Sequence, residues 1–122
     1  MTKLRILSVE DNPALAEVMR TFLESEGYEV LEAQDGAAAV QMARQELPDL
    51  ILMDLQLPVM SGLEAIRRIR HVAELRDIPI VAVTGFATDF DAARAHTAGC
   101  NEFVTKPYQL ESVLEVIRRL AR

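Results

Sequence analysis

Residues 4–13 read Leu-Arg-Ile-Leu-Ser-Val-Glu-Asp-Asn-Pro, and this run decides the fold class. Residues 4–9 have the short apolar character of a buried strand, which stops at the acidic pair Glu10 and Asp11. A helix signal follows at once. Asn12 is a capping residue and Pro13 suits a first helical turn, while Leu15, Val18, Met19, Phe22 and Leu23 recur at helical spacing up to the stop at Gly27.

The strand-then-helix unit recurs down the chain. Residues 28–31 read as a second strand, Asp35-Gly36 as a turn, and Ala37, Val40, Ala43 and Leu47 as one face of a second helix that Pro48 closes. Residues 50–53 form a third strand ending in Asp54, and Ser61 and Glu64 have capping-box spacing ahead of a helix marked by Leu63, Ile66 and Ile69 or Arg70. Residues 78–83 give a fourth strand. An alanine-rich helix over residues 88–98 stops at Gly99, and its apolar stripe is weak beyond Phe90 and Ala93. A fifth strand over residues 102–104 precedes a helix striped by Leu110, Val113, Leu114, Ile117 and Leu120. Five strands alternating with five helices predict a doubly wound α/β fold, because parallel neighbours need a crossover and a helix is the usual one.

Composition narrows the function. The 122 residues suit one domain, expected over residues 1–122, and 50% hydrophobic with 26% charged content is that of a globular chain. A formal net charge of −6 opposes attraction to polyphosphate, so nucleic acid is not expected as a partner. No apolar run approaches the roughly 18–20 residues that cross a bilayer, and no leader pattern opens the chain, so neither membrane insertion nor secretion is expected. The single cysteine, Cys100, suits the cytoplasm and reads as a small apolar residue; His71 and His96 lack metal-site spacing and read as solvated.

In doubly wound sheets the ligand lies beyond the carboxyl ends of the strands. Here those ends carry Glu10 and Asp11, Asp54, Thr84, and the Lys106-Pro107 pair. At about 4 Å and an effective dielectric near 20, two like charges repel by about 4 kcal/mol, so three carboxylates converging there need a counter-charge. Hard oxygen ligands suit Mg²⁺, and Lys106 adds a positive charge without occupying a metal site.

This constellation, with Asp54-Leu-Gln-Leu-Pro58, Ser61-Gly62, Thr84-Gly85 and Lys106-Pro107 in order, resembles the receiver domain of two-component response regulators over the whole chain. The resemblance implies a flavodoxin-like sheet of strand order 2-1-3-4-5. Asp54 would accept a phosphoryl group from a histidine kinase or phosphotransfer protein, a carboxylate being a nucleophile that can form an acyl phosphate. Glu10, Asp11, Asp54 and the Gln56 backbone carbonyl would hold Mg²⁺. Thr84, Gly85 and Lys106 would contact the phosphoryl group, and a cis bond between Lys106 and Pro107 would aim the ammonium inward. Thr84 and Phe103 would form the switch that remodels the face of the fourth helix, fifth strand and fifth helix; many relatives carry Tyr in place of Phe103. Gln56 and Phe86 would flank the path of the hydrolytic water. The protein would be a signalling domain and no enzyme in the ordinary sense, either monomeric or dimerising on phosphorylation. Since the last helix runs almost to residue 122, either the chain signals alone by protein contacts or it belongs to a longer protein.

Two rivals are weaker. A flavodoxin-like cofactor carrier would need Ser, Thr and Gly to receive a phosphate after the first strand, where Glu10 and Asp11 would repel it. An aspartyl-phosphate phosphohydrolase would carry a second Asp two residues after Asp54, where Gln56 stands.

Overall fold

The computed structural model describes residues 3–85, 89–106 and 108–121, and for residues 89–91 the backbone only. In chain order the elements are β1 (Arg5–Val9), α1 (Pro13–Ser25), β2 (Glu29–Ala33), α2 (Gly36–Glu46), β3 (Leu50–Asp54), α3 (Gly62–Arg70), a 3-10 turn (Ala73–Leu75), β4 (Ile80–Thr84), α4 (Asp89–Ala98), β5 (Glu102–Thr105) and α5 (Leu110–Leu120). All strand pairs are parallel, and the sheet order is β2-β1-β3-β4-β5. The chain leaves β1 to one side for β2 and returns across it for β3, so the carboxyl ends of β1 and β3 border the switch-point crevice.

The pleat sends alternate side chains to opposite faces, and both faces are covered. Leu7, Val9, Ile51, Met53, Ile80 and Ala82 pack with Ala39, Ala43, Ala65, Ile66, Ile69 and Ala95 of α2, α3 and α4. Ile6, Leu50, Leu52, Val81 and Val83 pack with Met19, Leu23, Val113 and Ile117 of α1 and α5. β3 and β4 are buried at every position, which is why they read as continuous aliphatic runs.

Helix starts follow the local chemistry. Asn12 Oδ1 accepts from the amides of Ala14 and Leu15, Asp35 Oδ1 from Ala38, and Ser61 Oγ from Glu64. Glu64 does not complete a reciprocal capping box with Ser61, because its carboxylate is engaged by Arg67 and Arg68 one turn on.

Four expectations need correction. The buried face of α2 is Gly36, Ala39 and Ala43, while Ala37 is exposed and Leu47 ends the helix exposed in a left-handed conformation. Gly36 begins the helix instead of turning the chain, and it sits so close to the Met60 carbonyl that a Cβ would overlap it, which fixes the rotation of α2. On α1, Met19 and Leu23 are buried whereas Leu15 and Val18 are 41% and 52% exposed, so the apolar stripe is wider than the face the sheet covers. β2 and β4 start at Glu29 and Ile80, later than the apolar runs suggest.

Candidate functional site

Asp54 closes β3 and is 4% exposed. Its Oδ1 accepts from the Gln56 amide at 2.9 Å, and its Oδ2 from Lys106 Nζ at 3.1 Å. Glu10, one residue past β1, is buried beside it; Oε1 accepts from the same Nζ at 3.2 Å and Oε2 from the Asn12 amide at 3.2 Å. Asp11 stands exposed at the rim, and one oxygen from each of Glu10, Asp11 and Asp54 lies within 4.8 Å of the others.

The backbone around the crevice explains this convergence. The Lys106 amide donates to the Thr84 carbonyl at 2.7 Å, fastening the end of β5 to the end of β4. The Gly62 amide donates to the Leu55 carbonyl at 3.2 Å, and a Cβ on Gly62 would overlap the Asp54 carbonyl. A glycine is thus what lets α3 start directly over the end of β3.

Burial pushes the Glu10 carboxyl above the usual carboxylate range, even though the Asn12 amide and Lys106 oppose the shift. Burial acts to lower Lys106, but its hydrogen bonds and charge contacts with Asp54 and Glu10 outweigh it and hold the ammonium above its ordinary value. Two buried carboxylates, one ammonium and a third carboxylate at the rim leave the crevice net negative and rich in hard oxygen donors. That is the donor set a hydrated divalent ion such as Mg²⁺ takes.

Of the site residues the sequence singles out, the fold brings Glu10, Asp11, Asp54 and Lys106 together. Thr84, 2% exposed, ends β4 in register with Thr105 of β5. Gln56 and Gly85 are neighbours across the crevice rim, the Gln56 Oε1 lying 3.5 Å from where a Cβ on Gly85 would stand. Phe103 lies away from the carboxylates, half-buried on β5 opposite Ala82 and packed on the core beneath α2, α3 and α4. Phe86 and Pro107, and with Pro107 the expected cis bond, lie outside the described residues. Sequence reasoning passed over Tyr108, whose half-buried phenol is raised by burial and feels the charges of Lys106, Glu10 and Asp54. An aromatic directly after Lys106-Pro107 was the available signal.

Comparison with known proteins agrees with this geometry. Residues 6–118 match the family model described as response regulator receiver domain. The chain is 41% identical over 118 residues to the polar-differentiation response regulator DivK of Brucella ovis, covering 97% of this chain and 95% of that one. Among solved structures, the receiver domain of the sensor histidine kinase PA1611 from Pseudomonas aeruginosa, which has a magnesium ion coordinated in its active-site cleft, superposes with a TM-score of 0.91 at 37% identity, covering 98% of both chains. The chemotaxis protein CheY4 of Vibrio cholerae gives 0.93 at 26% identity, covering 98% of this chain and 99% of that one.

Proposed function

The chain belongs to the response regulator receiver domain family, and from that premise we propose that Asp54 accepts a phosphoryl group from a phosphohistidine in a partner kinase or phosphotransfer protein. The observation that carries the assignment is the pairing of a buried strand-end carboxylate with Lys106 at 3.1 Å, beside two further carboxylates. In the transfer, a carboxylate oxygen of Asp54 forms the new bond to phosphorus as the bond to the donor imidazole nitrogen breaks, and the electron pair stays with the imidazole.

The chain's own residues each have a part. The Gln56 amide fixes one Asp54 oxygen and Lys106 orients the other, so the nucleophile is held before the donor arrives. Lys106 then stays beside the group it helped to position and offsets charge on the phosphoryl oxygens, with Thr84 and Gly85 as hydroxyl and amide donors at the end of β4. Glu10, Asp11, Asp54 and the Gln56 carbonyl would hold Mg²⁺, which when bound neutralises charge on the phosphoryl oxygens. To Gln56, beside Gly85 at the crevice rim, and to Phe86 we assign the flanking of the path of the hydrolytic water.

The output we assign is a rearrangement of the α4-β5-α5 face through Thr84 and Phe103. We place the receiver unit over residues 1–122, in the cytoplasm, where soluble histidine phosphodonors act; among the described residues no helix is long and apolar enough to cross a membrane. The test is incubation with acetyl phosphate and Mg²⁺, followed by intact-mass measurement. Addition of one phosphoryl group, abolished by a chelator, is expected; no addition in the presence of Mg²⁺ would overturn the proposal.

A further inference from the structure

Ser8 is a polar residue next to the last position of β1, flanked by Leu7 and Val9, and it is 5% exposed. Its side chain shares the face of Ile6, under α1 and α5, opposite the face that Leu7 and Val9 occupy. The strand ladder uses only its backbone, and among the described residues its hydroxyl meets no protein hydrogen-bond partner. Among the described residues no fully enclosed side-chain oxygen or nitrogen is without a partner, so the unpaired Ser8 hydroxyl keeps contact with space that a water can reach.

What Ser8 does meet is a cavity of about 20 Å³, also lined by Met19, Leu52, Glu10, Asp54 and Tyr108. One water needs roughly 10–15 Å³ of such space and two to four polar partners. Ser8 supplies one, and the two carboxylates supply more. Among the bonds made by the described residues, each of their four oxygens takes one, from Lys106 Nζ or the amides of Gln56 and Asn12, whereas a carboxylate offers about four acceptor sites in all.

We propose that this cavity binds a single water molecule, which accepts from the Ser8 hydroxyl and donates to Glu10 and Asp54 from beneath. Both carboxylates are buried and share one ammonium, so an uncharged donor on their inner side satisfies them without adding charge to the crevice. The outer side is left open to the cation and the phosphoryl group. A space lined only by Met19 and Leu52 would stay dry; Ser8 together with Glu10 and Asp54 makes this one polar. The inference stands on the unphosphorylated chain and holds or fails independently of the phosphoacceptor assignment.

A crystal structure of the native chain at a resolution that shows ordered solvent tests it. One discrete water within hydrogen-bond distance of Ser8 Oγ and of an oxygen of Glu10 or Asp54 is expected, and no density there would overturn the proposal. In Ser8→Val, whose methyl groups occupy the space, that water should vanish while Glu10, Asp54 and Lys106 keep their places. A water persisting in Ser8→Val would overturn the role given to Ser8. Should Ser8→Val fail to fold, the native crystals alone decide.

Discussion

Val59 adopts φ 68° although it is β-branched, and it is 85% exposed. The Met60 amide donates to the Pro58 carbonyl at 2.7 Å, closing a tight turn around Val59 in the segment that follows Asp54. Left-handed backbone at a β-branched residue costs on the order of 1–3 kcal/mol, and so exposed a side chain recovers little of it by packing. Val59→Asn, which tolerates that conformation, should stabilise the protein by about 1 kcal/mol in urea unfolding. Gly62 presents the opposite case. Gly62→Ala must displace the Asp54 carbonyl or the start of α3, so it should cost at least about 2 kcal/mol and depress phosphorylation by acetyl phosphate. Sequence reading finds strand-end carboxylates easily because runs of aliphatic residues end abruptly at them. It does not find that Gly62 is pressed on a carbonyl, because close backbone approach leaves no mark on periodicity.

At the scale of elements, legibility follows contrast between apolar and polar positions. α5, whose apolar residues stand out against Glu and Arg, buries the expected Val113, Leu114 and Ile117. α2 is rich in alanine and its burial is decided by the contact of Gly36 with Met60, so its face came out rotated from the sequence expectation. In α3, Arg70 falls at an apolar-stripe position, and the structure shows why. Its guanidinium donates to the carbonyls of Gly99 at 2.9 Å, Leu75 at 3.2 Å, Arg76 at 3.2 Å and Ile78 at 2.6 Å, and to Asn101 Oδ1 at 2.9 Å. Asn101 Oδ1 also accepts from the Ile80 amide at 2.8 Å, so one side chain ties α3, the 3-10 turn, the start of β4 and the end of α4. Arg70→Ala strands several partly buried carbonyls and should destabilise by about 1–3 kcal/mol in chemical denaturation, with Arg70→Lys recovering only part. This anchor holds the end of α4 distant from the site, so remodelling is expected at the end nearer Thr84. Beryllofluoride, a phosphoryl mimic, should therefore shift amide resonances from Thr84 through α4 to Phe103, and Thr84→Ala should confine the shifts to the carboxylate crevice.

For the molecule as a whole, the crevice is a negative site in a protein of net charge −6, and its dealings with protons and cations are linked. Burial raises the Glu10 carboxyl, so at acid pH a proton holds a position that a divalent ion would otherwise take. The sign is fixed: a raised carboxyl favours the protonated form in the folded state. Mg²⁺ affinity, followed by calorimetric titration, should thus climb as pH rises through a value above the usual carboxylate range and then level off. The functional reading rests on Asp54 as the phosphoacceptor, and locating the phosphoryl group tests that most directly. After labelling with acetyl phosphate and Mg²⁺, borohydride converts an acyl phosphate into a stable alcohol that peptide mass spectrometry can place. The predicted result is modification at Asp54 alone, with none in Asp54→Asn; undiminished labelling of Asp54→Asn, or modification mapped to Glu10 or Asp11, would contradict it.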